Sequence, residues 1–306
     1  MSRCPPPEIV EQFNNAMASA RLQVLLAAIC FGTTGTAQAL GPDADPLAVG
    51  SARIVAGGAL LLLAARLLRA ALPRSPRIVG AIAVAIAIYQ LSFFAAVNQP
   101  GVAVGTVVAI GTGPAVAGLL GALVNRERLT GRWAGATALA AIGVALLVAA
   151  GGHGADIDAG GILLAVIAGS GYASYTVMAK RLLDRGAEPI GVMAAGFGSA
   201  GVLLVPVLLA AGPAFLAQPG GLAMALYLGA VPTALAYVLF ARGLRHLSSG
   251  ETTTIVLAEP LTAVILGVVV LGEQPGAIAW AGAACVLAGL AVLALPARRR
   301  MAVLPA

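Results

Sequence analysis

The amino-acid sequence predicts an all-α integral membrane protein whose ten transmembrane helices form two inverted five-helix repeats. Three observations predict this fold class: the composition, the length of the apolar segments and the distribution of the basic residues. Hydrophobic residues make up 60% of the chain, charged residues make up 10%, and the mean hydropathy is +0.97. A chain of this composition has too little polar surface to coat a soluble globule.

Apolar segments of spanning length occur ten times along the chain. A helix needs about 20 apolar residues to cross ~30 Å of hydrocarbon, because each residue adds ~1.5 Å. The segments are apolar throughout, which predicts helices and excludes the alternating strands of an outer-membrane barrel. In order, they cover residues 22–40, 47–65, 78–97, 102–124, 133–150, 162–179, 190–211, 222–241, 253–271 and 277–295.

Basic residues fall in alternate gaps between these segments. Of the 18 Lys and Arg residues, all except Arg53 lie at the two termini or around the loops after segments two, four, six and eight. The positive-inside rule assigns these regions to the cytoplasm, so both termini are predicted to lie inside. The net charge of +6 and the pI near 9.8 therefore indicate topology and contact with anionic membrane lipid, and no nucleic-acid partner is expected.

Polar regions at the ends and in the middle complete the predicted organisation. Residues 1–21 lack the order of a cleavable signal peptide and are predicted to form a cytoplasmic tail, in which Met17 offers an alternative start. Residues 151–161 are predicted to form an external linker, and residues 297–306 a cytoplasmic C-terminal tail. The three cysteines and two histidines have no metal-binding spacing, so neither a metal site nor a cofactor is expected.

The two halves of the chain match each other around the fourth and ninth segments. Pro114 precedes Glu127 by 13 residues, and Pro260 precedes Glu273 by 13. Further matches at the same offset of 146 residues pair Thr106, Ala117 and Gly121 with Thr252, Ala263 and Gly267. The sequence therefore predicts a duplication, with five-helix repeats at residues 22–150 and 162–296.

Five helices per repeat require the two copies to insert with opposite orientations, because five is an odd number. The basic residues independently place Glu127 inside and Glu273 outside. Inverted repeats are related by a pseudo-two-fold axis in the membrane plane, so the same motion can open either face. Alternating access is the expected consequence.

These motifs resemble those of the drug/metabolite transporter superfamily, specifically a tandem of EamA domains. The matching residues are Pro114, 127–129, Trp133, Gly135 and Gly143 in the first half, and Pro260, 272–273, Trp280, Gly282 and Gly289 in the second. The resemblance covers about residues 22–295. It implies a ten-helix transporter, in bacteria usually of the inner membrane. Many members export amino acids and related metabolites, and others import sugars, nucleotide derivatives or cofactors.

Glu259 is the one acidic residue predicted to lie deep in a spanning segment. An intramembrane acid costs at least ~2.5 kcal/mol on insertion scales, so it needs a partner, a watery cavity or a proton. We therefore expect Glu259 to bind the solute or a coupling proton, the alternative being a neutral glutamate that only packs. Pro260 and Pro114 each remove a backbone donor and are predicted to expose carbonyl groups to a solute.

Arg53 lies ~10 Å below the external surface, as judged from the helical rise. Snorkelling towards Asp43 or Asp45 would satisfy its charge. The alternative is a guanidinium that meets a solute carboxylate or an acid on another helix. The family resemblance favours a structural or gating role for this arginine, as it does for the two prolines.

The remaining polar and aromatic residues cluster in helices one, three, six and eight. The predicted solute-binding residues are Thr34, Gln38, Tyr89, Gln90, Tyr172, Tyr175, Tyr237 and Glu259. Together with helices four and nine they predict a midplane cavity with aromatic walls and few charges. Such a cavity suits a small amphipathic or zwitterionic solute. Helices two, five, seven and ten are nearly pure in apolar and small residues and are predicted to be peripheral.

The leading functional interpretation is a secondary exporter of amino acids or related metabolites. The chain contains no ATP-binding P-loop, so ATP hydrolysis within this chain cannot drive transport. Coupling to a proton through Glu259, or to another ion, is the expectation. Carriers of nucleosides, sugars or drug-like compounds are alternatives. An intramembrane enzyme would need paired acids or a histidine cluster at depth, and a channel would need a polar filter. Small residues on the outer helices permit a homodimer.

Overall fold

The described part of the chain consists of helices joined by short turns. The computed structural model describes residues 7–97, 102–150 and 159–294. The helices are α1 (Pro7–Ala39), α2 (Pro46–Leu67), α3 (Pro76–Val97), α4 (Val102–Asn125), α5 (Gly131–Ala150), α6 (Ala159–Asp184), α7 (Pro189–Ala211), α8 (Pro219–Gly229), α9 (Ala236–Leu244), α10 (Ser249–Val256), α11 (Glu259–Leu271) and α12 (Ala277–Ala294). A 3₁₀ turn at Pro213–Ala217 precedes α8, and a π-helical segment at Ala230–Leu235 joins α8 to α9.

Ten stretches of these helices are long and apolar enough to cross a membrane. Helices α8 and α9 form the eighth span, Pro219–Leu244, with the π segment between them. Helices α10 and α11 form the ninth span, Ser249–Leu271. The described residues contain no strand. The chain is therefore a multi-pass membrane protein of the predicted all-α class, and its ten predicted spanning helices are confirmed.

The first helix begins earlier than the sequence predicted. Most of the expected tail at residues 1–21 is helical, because α1 starts at Pro7. Met17 and Ala20 pack against the main hydrophobic cluster, so the end of this segment belongs to the bundle. Of the predicted linker at 151–161, only the last three residues are described, and they already lie in α6. The predicted C-terminal tail at 297–306 lies outside the described residues.

The helix contacts follow the two-fold pattern of an inverted repeat. Three pairs of equivalent spans pack against each other, namely α2 with α7, α4 with α10, and α5 with α12. The packing of α6 on α3 and α4 is matched by the packing of α1 on α9 and on α10–α11.

We call the membrane side that carries the loops after spans two, four, six and eight the basic face. The N-terminus of α10 lies at the basic face, beside the C-terminus of α4.

Helices α5 and α12 cross at a pair of glycines. A Cβ atom added to Gly143 would lie 2.6 Å from the Gly282 carbonyl oxygen, and one added to Gly282 would lie 2.7 Å from the Gly143 carbonyl oxygen. No side chain fits at this distance from a backbone oxygen, so glycine permits the crossing. Both residues belong to the matching motifs in the two halves of the sequence.

Helices two and seven lie inside the bundle, so the prediction that they are peripheral is wrong. More than half of the most apolar stretch of α7 is buried, and half of that of α2. Phe197 of α7 packs against Tyr237 with ring centroids 4.0 Å apart. The sequence could not show this, because a helix side that faces lipid and one that faces protein are equally apolar.

Candidate functional site

A cavity of about 80 Å³ is lined by residues of both repeats. Glu259 lies ten residues beyond the start of the ninth span at Ser249, which is ~15 Å of helix and half of a bilayer core. The cavity is bounded by the six helices that the sequence predicted and also by α2. Its lining residues are Phe31, Thr34, Arg53, Tyr89, Phe93, Ala109, Ile110, Pro114, Gly169, Tyr172, Tyr237, Thr253, Val256, Leu257 and Glu259.

The ninth span breaks where it reaches this cavity. Helix α10 ends at Val256, and α11 begins at Glu259 with Pro260 in its first turn. Between them, the Leu257 and Ala258 amides donate to carbonyls only three residues back. Because Pro260 has no N–H, the Val256 carbonyl lacks its usual helical donor. The break therefore leaves one backbone carbonyl without a helical donor beside the cavity at mid-membrane depth, a feature shared with the discontinuous helices of transporters.

The equivalent proline in the first half does not break its helix. Helix α4 is continuous from Val102 to Asn125, with Pro114 inside it and lining the cavity. Both prolines were expected to loosen their helices, and only the second interrupts one. The cavity is therefore built asymmetrically, with one broken and one continuous helix facing each other.

Arg53 and Glu259 line the same cavity from different repeats. The Arg53 Nε atom is buried and has no hydrogen-bond partner. The guanidinium is close enough to interact electrostatically with Glu259 and with Tyr89. The part of the chain that the structure describes has two ion pairs, Arg21–Glu251 and Lys180–Asp184, and neither includes Arg53 or Glu259. A basic and an acidic side chain thus share one cavity without forming an ion pair.

Among the described residues, Arg53 forms no ion pair with Asp43 or Asp45. The Asp45 carboxylate instead caps α2, accepting from the amides of Leu47 at 2.8 Å and Ala48 at 3.1 Å. Of the two interpretations of Arg53, the geometry favours the one in which its guanidinium faces an acid on another helix.

Aromatic rings form much of the cavity wall. Tyr89 and Tyr172 pack with ring centroids 5.9 Å apart, and Phe31 packs on Tyr237 at 5.0 Å. The Tyr237 hydroxyl is 2.8 Å from the Tyr175 hydroxyl, and this hydrogen bond fixes the Tyr237 ring. The Tyr172 hydroxyl is buried without a partner. An unpaired buried donor beside a cavity is a group that a polar solute can satisfy.

Three of the predicted solute-binding residues lie outside the lining. Tyr175 is fully buried behind Tyr237. Gln90 is buried away from the cavity because neighbouring helical residues point ~100° apart and Tyr89 already faces it. Gln38, one turn beyond Thr34, lies in a separate opening near Asp43 at the opposite face. The other predicted residues line the cavity, except Pro260, which lies at the helix break beside it.

Several lining residues carried no individual signal in the sequence. Ala109, Ile110, Val256 and Leu257 are small or aliphatic and resemble any lipid-facing residue. Gly169 admits the α4 backbone, since a Cβ there would lie 2.6 Å from the Ala109 carbonyl oxygen. The run of three threonines at 252–254 was the one sequence feature that could have indicated this part of the lining. Its middle residue, Thr253, lines the cavity.

Comparison with known proteins gives consistent matches over most of the chain. The model of the EamA-like transporter family matches residues 18–149 and 159–295. The "uncharacterized transporter YwfM" of Bacillus subtilis (strain 168) is 39% identical over 282 residues, covering 91% of this chain and 95% of that protein. A solved crystal structure has a TM-score of 0.80 at 20% identity and covers 90% of this chain and 96% of that chain, which shows a shared fold.

Two further relatives carry names that mention a solute. A "probable terminal-alkyne amino-acid exporter" of Streptantibioticus cattleyicolor is 29% identical over 185 residues, covering 60% of this chain and 61% of that protein. A "probable amino-acid metabolite efflux pump" of Salmonella typhimurium (strain LT2) is 29% identical over 181 residues, covering 56% of this chain and 60% of that protein. The names of these relatives point to transport and away from an enzymatic role.

Proposed function

We propose that this chain, which belongs to the EamA-like transporter family, is a secondary transporter that exports amino acids or closely related zwitterionic metabolites by alternating access. Its basic face is cytoplasmic, as the positive-inside rule requires, and the protein resides in the bacterial inner membrane. Two relatives named for amino-acid export support the solute class.

The observation that carries this proposal is that Arg53 and Glu259 line one cavity without an ion pair between them. A zwitterion offers a carboxylate for the guanidinium and an ammonium group for the glutamate, so each end finds an opposite charge. The solute side chain then lies against the rings of Phe31, Tyr89 and Tyr172. A sugar or nucleoside would leave both charges without counter-charges.

Glu259 also allows solute export to be coupled to proton entry. A proton and a solute ammonium group compete for the same carboxylate, so the site holds one or the other. Entry of a proton from outside would then accompany each exported solute. The helix break at Leu257–Ala258 leaves the Val256 carbonyl without its helical donor, and this carbonyl can accept from the ammonium group as it binds.

Counterflow in liposomes tests the solute class. Vesicles containing the purified chain are loaded with one unlabelled compound, and uptake of its labelled form is measured for amino acids, sugars and nucleosides. We expect saturable counterflow of neutral amino acids. Counterflow of sugars or nucleosides alone would replace the proposed solute class, and flux that does not saturate would indicate a channel.

Variants of the two charges test the binding mode. Arg53→Gln and Glu259→Gln are each expected to raise the half-saturating concentration at least tenfold, because a hydrogen bond to a charged group contributes ~1.5–3 kcal/mol. The matched control is Gln38→Ala, because Gln38 lies outside the cavity. This variant should change the half-saturating concentration by less than about twofold. Glu259→Gln should also abolish uptake driven by a proton gradient in inverted vesicles while counterflow persists at high solute. Retention of gradient-driven uptake would remove Glu259 from the coupling step.

A further inference from the structure

The N-terminus of α10 is held at the basic face by a carboxylate from the loop between α4 and α5. Glu127 accepts two hydrogen bonds from one residue: its Oε2 from the Ser249 amide at 2.8 Å, and its Oε1 from the Ser249 hydroxyl at 2.8 Å. Ser249 itself is fully buried. A negative charge at a helix N-terminus is also favourable for the helix dipole.

Packing around this pair seals the same end of the bundle. The Trp133 ring fills the space between Gly118 of α4 and Gly250 of α10, where a Cβ on either glycine would collide with it. The Thr137 and Thr254 hydroxyls are hydrogen-bonded at 2.7 Å and join α5 to α10. On the other side, Arg21 of α1 forms an ion pair with Glu251 at 2.8 Å. These contacts join α1, α4 and α5 to α10 between the cavity and the basic face.

The equivalent glutamate of the second repeat has the same backbone setting. The Glu127 amide donates to the Gly121 carbonyl at 3.1 Å, and the Glu273 amide donates to the Gly267 carbonyl at 3.0 Å. Each carboxylate folds back against the glycine of its own helix end. Unlike Glu127, Glu273 is exposed. The glutamate at this position is thus hydrogen-bonded to another helix in the first repeat and exposed in the second.

We infer that the Glu127–Ser249 pair is a latch that holds the cavity closed at the basic face, and that Glu273 is the counterpart that engages the N-terminus of α4 when the opposite face closes. This inference rests on the alternating access of the proposed function and goes beyond its solute and coupling ion. The helix break at Leu257–Ala258 serves as the hinge, because it lets α10 move separately from α11.

The two latches differ in strength because the sequence differs between the repeats. The residue 146 positions before Ser249 is Ala103, which offers a backbone amide and no hydroxyl. Trp133 is packed between helices, whereas Trp280, the equivalent residue of the second repeat, is 56% exposed. The latch at the basic face therefore has an additional hydrogen bond and an additional packed ring, and it sets a resting state that opens to the opposite face.

Labelling of a cysteine in the cavity tests the latch without any transport measurement. The parent carries Ile110→Cys as the reporter, in a background where Cys4, Cys30 and Cys285 are alanine. A membrane-impermeant maleimide is applied to vesicles of either orientation, and labelling from each face is timed. Ser249→Ala and Glu127→Ala should raise labelling from the basic face about tenfold and lower labelling from the opposite face. Glu273→Ala should shift both rates in the reverse direction.

A matched control separates the latch from general damage to α10. Ser248 caps α10 through its hydroxyl, which accepts from the Glu251 amide at 3.1 Å and does not touch Glu127. Ser248→Ala should leave both labelling rates within about twofold of the parent. The inference is overturned if Ser249→Ala labels like the parent, if Ser248→Ala shifts the rates as strongly, or if labelling rises equally from both faces. Because no solute is used, a failed counterflow experiment leaves this outcome unaffected.

Discussion

Removal of one hydroxyl from the Tyr175–Tyr237 pair is expected to destabilise the bundle more than removal of both. The two hydroxyls are 2.8 Å apart, and the residues are 0% and 3% exposed. A buried hydroxyl that loses its partner costs ~1–3 kcal/mol, whereas replacement of both partners by apolar groups is nearly neutral. Hydrogen bonds between membrane helices measure ~0.6 kcal/mol on average and up to ~1.7 kcal/mol.

The cavity makes the two single variants unequal. Tyr237 lines the cavity, so its hydroxyl can be hydrated from there when Tyr175 becomes phenylalanine. Tyr175 does not line the cavity, so its hydroxyl stays unsatisfied when Tyr237 becomes phenylalanine. We expect Tyr237→Phe to lower the free energy of unfolding by about 1–2 kcal/mol and Tyr175→Phe by less than about 1 kcal/mol. The double variant should lie within about 0.5 kcal/mol of the parent.

Equilibrium unfolding in mixed micelles with increasing SDS, followed by circular dichroism, gives these free energies. The cycle of two single variants and the double variant isolates the pair from other effects of each ring. If the cost of the double variant equals the sum of the single costs, the two hydroxyls are not coupled. If Tyr175→Phe costs more than Tyr237→Phe, the reasoning about hydration from the cavity is refuted.

Two other predictions follow from the helix crossing and from the latch. Gly143→Ala should destabilise the bundle by at least about 1–3 kcal/mol in the same assay, because its Cβ would lie 2.6 Å from the Gly282 carbonyl oxygen, whereas Gly135→Ala on the same helix meets open space and should be nearly neutral. Burial raises the pKa of Glu127 above its ordinary value, and the hydrogen bonds from Ser249 only partly oppose this. The closed latch thus binds a proton more tightly than a solvated carboxylate does, so it weakens as pH rises through that pKa. Maleimide reacts with the thiolate, so every labelling rate rises with pH, and the latch is read from the ratio of the rates at the two faces. The ratio of basic-face to opposite-face labelling should increase through that pKa, and a Glu127→Gln variant should show no such change in the ratio.

The candidate site was partly visible in the sequence because charge inside an apolar segment is conspicuous. Glu259 and Arg53 each stand out from segments of apolar and small residues, and both line the cavity. The rings at Tyr89, Tyr172 and Tyr237 stood out in the same way. The sequence could not show on which side of its helix each side chain lies. In the structure, Gln90 and Tyr175 lie on sides that do not face the cavity. A helix that is apolar on all sides has no amphipathic face from which direction can be read.

Sequence alone determined how many times the chain crosses the membrane and that its two halves run in opposite directions. Both follow from local energetics, because apolar length decides insertion and basic loops decide orientation. Only the tertiary structure decided that α2 and α7 lie inside, that Pro260 breaks its helix while Pro114 does not, and that Glu127 reaches Ser249 across 122 positions. Lipid and protein interiors are equally apolar, so contacts between helices depend on shape and on a few polar pairs, which no local sequence pattern encodes.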